Sequence, residues 1–330
     1  MKRLFALSLA MIMALSLTAC GGSKTPAGSA STGTTSPAAS TSTPANPTDS
    51  TPTLANGEQV SEDIKADDGT VVVSITYTPI TISYPGKEAV QKTIQQDLDK
   101  VVADFLKSAK EYEEEAKSYY AEYLKSGGKA EDFTPYACSL DSKAVRQDTG
   151  VISTLFYSYA YLGGAHGGLV TFAKNYDAKD GKLLSMKDLG EGVNTLAIDN
   201  VVKFVDAIQD HGDAFFFDKV KADDESVQSM LETGNFYLSQ DGLVLIDGQY
   251  LLQPYAAGIA EFTTSYDDLK GKLKEEYALT GGSTNCIGSG AVYTFDQEGQ
   301  LVKTVTNYDP AVSDSGAGQD AEDGSTSMAS

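Results

Sequence analysis

Between residues 57 and 308 the apolar positions of this chain follow two different periods, and the switches between them divide it into blocks of strand and helix. Val71-Val72-Val73-Ser74-Ile75-Thr76-Tyr77 and, past Pro79, Ile80-Thr81-Ile82-Ser83-Tyr84 are rich in β-branched and aromatic residues. Such side chains suit a pleated, half-buried surface, so both runs are predicted strands, the first entered through the Asp67-Asp68-Gly69 turn. Pro79 has no N–H to give to a ladder and must sit at an edge or a break. After Pro85-Gly86 the period lengthens: Val90, Ile94, Leu98, Val101, Phe105, Ala109, Tyr112, Ala116, Tyr119 and Tyr123 recur every three or four residues. That spacing predicts a long amphipathic helix ending near Gly127-Gly128. Unbroken, it would run about 55 Å at 1.5 Å per residue, a length that a kink or a division into two helices also fits.

Strand spacing returns in Tyr136 to Arg146, Val151 to Tyr161 and Leu169 to Tyr176, separated by the Gln147-Asp148-Thr149-Gly150 turn and a glycine-rich link, which together suggest a meander. Asn194 to Ile208 and the region from Phe215 to Leu231 read as helical. Phe236 to Leu238, Leu243 to Ile246 and Glu261 to Thr264 read as strands, and Gly290 to Phe295 with Leu301 to Val305 as a last hairpin. Strands in blocks and helices in blocks favour an α+β fold, with antiparallel or mixed sheets on which the long helix and the further helices pack.

The two ends of the chain read differently. Lys2 and Arg3, an apolar run from Leu4 to Leu17 and then Leu17-Thr18-Ala19-Cys20 have the order of a secretory signal of the lipoprotein kind. The apolar stretch is shorter than a bilayer span requires. The expectation is a signal peptide over 1–19 and a lipid-anchored protein on the extracellular side of the membrane, acylated at Cys20. From Gly21 to Asn56 nearly every residue is Gly, Ser, Thr, Pro or Ala, so 20–56 is read as lipidated cysteine plus tether. As a flexible coil it would reach roughly 30 to 36 Å. Residues 309–330 are acidic, poor in apolar residues and read as a disordered tail.

A net charge of −21 repels polyanions and argues against nucleic acid and against direct docking on anionic lipid headgroups. It would attract a cationic protein or a divalent cation, although acidity also serves solubility alone. Glu111, Glu113, Glu114 and Glu115 read either as a solvated helix face or as part of such a patch. With Cys20 assigned to lipid, Cys138 and Cys286 remain. In an exported protein they are a candidate disulfide, with two unpaired small buried residues as the alternative.

The string Tyr161-Leu162-Gly163-Gly164-Ala165-His166-Gly167-Gly168 is followed by Asn175-Tyr176-Asp177, Asp180-Gly181-Lys182, Leu189 and later Pro254-Tyr255-Ala256-Ala257-Gly258. In this it resembles the extracellular domain of the RsiV-type anti-sigma factors. Ile82-Ser83-Tyr84-Pro85 followed by a helix resembles the module preceding that domain, and a similar pair of modules stands ahead of the catalytic domain in PdaC-type peptidoglycan deacetylases. The resemblance, which covers about Val71 to Lys270, implies a strand-helix module over 57–150 and an RsiV-type domain over 151–275, displayed outside a Gram-positive membrane, and the last hairpin occupies 276–308. In the anti-sigma factors the equivalent domain binds lysozyme. No sigma-binding segment is found here, so anti-sigma signalling is not carried over.

Chemically, the glycine string supplies residues able to take positive φ and to let backbones pass closely. His166 is the one side chain in it that titrates near neutrality or ligates a metal, and it reads either as a loop-fixing hydrogen-bond partner or as a ligand contact. Gly163, Gly164, His166 and Gly167 are thus the candidate loop. With only His166 and His211 in the chain, a zinc site built on two histidines at helical spacing has no motif. Gly288-Ser289-Gly290 does not make a serine-hydrolase elbow. Asn175 to Gly181 has acids at the wrong offsets for a calcium loop and reads as a β-turn. No cofactor and no metal are expected. The favoured function is a binding or sensing lipoprotein without catalytic activity, recognising a cationic, lysozyme-like protein or a peptidoglycan fragment. The alternative is a cell-wall hydrolase or esterase with an unrecognised carboxylate site.

Overall fold

The computed structural model describes residues 51–209, 219–255, 258–288 and 291–305. Cys20, the signal peptide, most of the tether, His211 and the acidic tail lie outside the described residues. In chain order the first half contains β1 (Thr53–Asn56), β2 (Val60–Lys65), β3 (Val71–Tyr77), β4 (Ile80–Ser83), α1 (Glu88–Lys110), α2 (Glu113–Lys125), β5 (Tyr136–Gln147), β6 (Val151–Tyr161) and β7 (Gly168–Asp177). The second half contains α3 (Met186–Leu189), α4 (Val193–Gln209), α5 (Glu225–Ser229), β8 (Phe236–Leu238), β9 (Gly242–Ile246), β10 (Glu261–Ser265), β11 (Asn285–Gly288), β12 (Ala291–Phe295) and β13 (Leu301–Val305). The α+β reading holds.

One sheet has the order β2-β3-β5-β6-β7 and a second the order β13-β12-β11-β10-β9-β8. Among the described strands only β3 and β5 pair in parallel, and the long helix is the crossover such a pair requires. β5 and β6, joined across residues 148–150, are neighbours in the first sheet with Gln147 opposite Ile152. Alternation along β6 sends Leu155 and Tyr157 to one face, where with Ala173 they meet Tyr237, Val244 and Ile246 of the second sheet. Ile152 and Phe156 point the other way, onto Ile94 and Leu98 of α1. The outer face of the second sheet carries Leu243, Leu245 and Phe262 onto Val201, Phe204 and Val205 of α4. The layers are therefore helix, sheet, sheet, helix.

The long helix breaks between Lys110 and Glu113, where the Glu111 N–H is shared by the carbonyls of Lys107 and Ser108. Twelve-residue β5 is about 40 Å long, so a straight helix of 55 Å would overrun the sheet it covers. The break keeps Ala116 and Tyr120 of α2 on the Val73–Ile75 side of the core. Glu113, Glu114 and Glu115 then fall in the first turn of a new helix, where the macrodipole favours acids.

Side-chain amides replace missing strands at two edges. Gln91 and Gln95, one turn apart on α1, accept from the N–H groups of Tyr84 and Ile82 at 2.7 and 2.9 Å, and Gln95 donates to the Ile80 carbonyl at 3.1 Å. Buried Asn175 of β7 donates to the Phe236 carbonyl at 2.8 Å and accepts from the Leu238 N–H at 3.1 Å, so its amide pairs with β8 as a peptide group would. At the same end of the sheets Arg146, 2% exposed, donates to Asp148 Oδ2 at 2.6 Å and to the Tyr266 hydroxyl and Tyr277 carbonyl at 2.7 Å each. Asp148 also accepts from the N–H groups of Gly150 and Val151. A buried cation is thereby fully partnered, and it ties the β5–β6 turn to the segment after β10.

Several expectations need correction. The tether reading ends at Asn56, yet Thr53–Asn56 are β1, paired with β4, because Leu54 supplies the one large apolar side chain that can be buried there. Strands β2 and β11 were not predicted: β2 alternates between half-buried and exposed positions at a sheet edge, and β11 is only four residues long. Between 215 and 231 the described helix is α5 alone, residues 215–218 being outside the described set. The candidate disulfide is not formed. Cys138 and Cys286 are both free and buried, the first under α2 with Val73 and Ile75, the second under α4 with Phe262 and Tyr293.

Candidate functional site

The β6–β7 loop, 162–167, and the β9–β10 loop, beginning at Asp247, meet at the end of the two sheets opposite the Arg146 clasp. The Leu169 N–H donates to Gln249 Oε1 at 3.1 Å and joins them. The glycines of the first loop do separate jobs. Gly163 and Gly164 take φ of 82° and 99°, values that L side chains rarely adopt, and the Gly164 carbonyl accepts from the Tyr161 hydroxyl at 3.1 Å. Gly167 is buried, and a Cβ there would lie 2.3 Å from the ring of Tyr159, so glycine is required for close approach.

That geometry carries His166 to the surface. Nδ1 lies 2.9 Å from the Gly167 carbonyl and donates to it, which leaves Nε2 to accept from the Tyr250 hydroxyl at 3.3 Å. The imidazole stacks on Tyr255 with centroids 4.0 Å apart and 23° between the planes, and Tyr250 and Tyr255 lie 5.8 Å apart at 31°. His166 therefore bonds its own loop's backbone while its ring remains exposed. Its neighbours are tyrosines rather than carboxylates.

Tyr250 is 49% exposed and has φ of 67°, the only non-glycine residue with positive φ among the described residues. It sits third in a turn closed by the Leu251 N–H on the Gly248 carbonyl at 3.1 Å, a position where Gly or Asn is cheap and an aromatic is strained. Strain of this kind persists only where the surroundings hold it.

At the root of the same loop, Asp247 is fully buried, and neither carboxylate oxygen has a hydrogen-bond partner. Burial pushes its carboxyl up to about 8, and the nearby N–H groups of Leu252 and Gly248 offset only part of that. Glu261, also raised by burial, accepts from Tyr237 at 3.1 Å. Ile246 is opposite Glu261 in the ladder and the Asp247 N–H bonds the Ala260 carbonyl, so the two acids point to opposite faces of the second sheet. Both are closed from solvent, and neither can touch a substrate in this conformation. Burial also raises the thiols, that of Cys138 to about 11 and that of Cys286 well above its ordinary value with the carboxylates of Asp247 and Glu261 adding to the effect. Neither has the cationic neighbour of a reactive thiolate.

Among the described residues no group of three or more His, Cys, Asp and Glu is placed to hold a metal, and no helix is long and apolar enough to cross a membrane. The segment 175–182 forms a turn in which the Gly181 N–H bonds the Asp177 carbonyl at 2.8 Å, while the Asp177 side chain accepts from Tyr277 at 2.9 Å. Sequence reasoning missed Tyr250, Asp247 and Arg146. The available signal for Tyr250 was that 248–260 carries no Asp, Glu, Lys or Arg in a strongly charged chain.

The pole thus belongs to an α+β protein with two large stacked sheets that builds a partly exposed aromatic cluster from two separated loops. Residues 69–168 match the family model described as Deacetylase PdaC, and residues 197–267 match the model for a protein of unknown function, DUF3298. This agrees with the resemblance to the RsiV- and PdaC-type modules. The first matched segment ends just after His166 and the second contains Tyr250 and Tyr255, so the cluster forms where the two segments meet. A solved DUF3298-family structure from Bacteroides fragilis is 18% identical, covering 68% of this chain and 94% of its own, with a TM-score of 0.48. Another, from Pseudomonas aeruginosa, is 15% identical, covering 69% and 96%, with a TM-score of 0.44. No curated protein matches the chain.

Proposed function

We propose that this chain is a non-catalytic recognition lipoprotein, anchored through an acylated Cys20 on the extracellular side of the membrane and carried on its Ser/Thr/Pro/Gly-rich tether. Its ligand is a cell-wall fragment or a cationic, lysozyme-like protein, and it is met at the His166–Tyr250–Tyr255 pole. The observation that carries this reading is the exposed tyrosine held in a strained turn against a histidine from a separate loop. Tyrosine is among the residues on which recognition surfaces most depend. The lipobox-like Leu17-Thr18-Ala19-Cys20 supports the placement, and the matched segments support the domain type.

The test is retention of the full-length protein, in mild detergent, on immobilised lysozyme and on soluble muropeptides at low and high salt. Retention on either that is lost with Tyr250→Ala and Tyr255→Ala is the expected result. Failure to retain either overturns the reading. Mass spectrometry of the native protein checks the anchor, which is refuted if residues 1–19 remain attached without diacylglycerol.

A further inference from the structure

We propose that the His166–Tyr250–Tyr255 platform binds an uncharged saccharide, with the apolar face of a sugar ring laid on the exposed ring of Tyr250 beside His166 and half-buried Tyr255. The inference rests on the recognition reading above and names its ligand chemistry. Charge is the first argument. The chain is 22% Asp, Glu, Lys and Arg, yet residues 161–170 and 248–255, which build this pole, contain none, and Asp247 at the root of the second loop is buried. An ionic ligand would find no ion-pair partner on either loop, whereas a neutral one loses nothing by that.

Shape and polarity are the second. A pyranose has an apolar face of C–H groups and a rim of hydroxyls. At the pole the imidazole is stacked on Tyr255 at 4.0 Å, the Tyr250 ring is tilted 31° to Tyr255 at 5.8 Å, and the Tyr250 hydroxyl, which donates to the imidazole, can still accept at the edge. Tyrosine combines an apolar body with a polar tip in this way. Backbone strain at Tyr250 points the same way. Asn or Gly would relieve φ of 67° at no cost to the turn, and what the tyrosine adds is a ring face and a hydroxyl at the surface.

The chain has two histidines, His166 and His211, so ¹⁵N-histidine labelling of the full-length protein gives two sets of imidazole signals, one Nδ1 and Nε2 pair for each ring. Titrating N-acetylchitotetraose and, separately, cellotetraose is expected to move the His166 signal saturably and leave His211 unmoved, with no loss of affinity at high salt. Tyr255→Ala and Tyr250→Asn each weaken the interaction by about tenfold or more. Because Asn is at home at positive φ, the second variant keeps or raises the melting temperature, which separates lost recognition from lost fold. If neither saccharide moves His166, or if Tyr250→Asn binds as well as the parent, the inference is overturned. Should lysozyme move the same signal in a salt-sensitive way while the sugars do not, the saccharide assignment falls and the recognition reading stands. Silence toward sugars, muropeptides and lysozyme alike removes both.

Discussion

Raising the pH from about 5 to about 8 is expected to destabilise the fold, and Asp247→Asn is expected to flatten that dependence. Asp247 has an ordinary value of 3.8 and is pushed up to about 8 by burial without a hydrogen-bond partner. Above pH 4 or so the unfolded chain has released this proton while the native protein still holds it, so the native state binds the extra proton throughout the window. Stability therefore falls as pH rises, by up to about 1.4 kcal/mol per pH unit from this group alone. Carried over the whole shift this is roughly 5 to 6 kcal/mol. Local opening of the 248–255 loop to water offers a cheaper escape, so a loss of about 2 kcal/mol or more between pH 5 and pH 8 is the expected outcome. Glu261 contributes with the same sign, its carboxyl also being raised by burial. Asp148 and Asp188 have the opposite sign, held down by Arg146 and by Lys182 with Ser185. Their stabilisation is present above pH 4 and lost only below it, for Asp188 as pH falls toward about 2, outside the window. The assay is urea unfolding followed by circular dichroism at several pH values for both proteins. Parallel pH profiles for the parent and Asp247→Asn would refute the reasoning, whatever their absolute midpoints.

The other expectations concern the elements that hold the sheets and the pole. Arg146→Ala takes the cation from the partly exposed Asp148 carboxylate and the buried donor from the Tyr266 hydroxyl and Tyr277 carbonyl, and is expected to cost about 2 to 3 kcal/mol in chemical denaturation. Asn175→Ala removes both bonds to β8 and is expected to cost roughly 2 to 3 kcal/mol, with hydrogen exchange accelerating at Leu238, whose N–H bonds the Asn175 side chain. Tyr250→Asn is expected to stabilise by about 1 kcal/mol through relief of the left-handed backbone, read as a rise in melting temperature. Gly167→Ala is expected to cost about 1 to 3 kcal/mol because its Cβ would strike the Tyr159 ring. Tyr159→Ser should recover part of that loss.

The regular elements were legible because their periods are local. β5, β6, β7 and α4 begin and end within about a residue or two of where the apolar pattern places them, and the helix break fell where the helix outgrew its sheet. β1 was hidden because a single Leu54 in a run of Ser, Thr, Pro and Ala gives no period to detect. The glycine loop was found by composition, but its partner was not. Pro254-Tyr255 drew notice as part of a resemblance, whereas Tyr250 and Asp247 become meaningful only when a loop 84 residues away in sequence is brought against them. Arg146 shows the same limit. Its spacing within β5 marks an ordinary strand position, and nothing local says that Tyr266 and Tyr277 will enclose it.

These long-range contacts share a pattern with a consequence for recognition. Arg146 and Asn175 fasten the first sheet to the second at one end, through hydrogen bonds that cross more than 60 residues of sequence. The aromatic pole at the other end is made by one loop from each sheet, joined by the Gln249 and Tyr250 bonds and by the stacking of His166 on Tyr255. The geometry of the pole is therefore set by how the sheets stack, through Leu155, Tyr157 and Ala173 against Tyr237, Val244 and Ile246. Coupling of this kind has a direct test in Asn175→Ala. If the pole is an independent loop structure, that variant lowers stability and leaves ligand affinity untouched. If sheet stacking sets the spacing of His166 to Tyr255, affinity falls together with stability even under conditions where the variant remains fully folded.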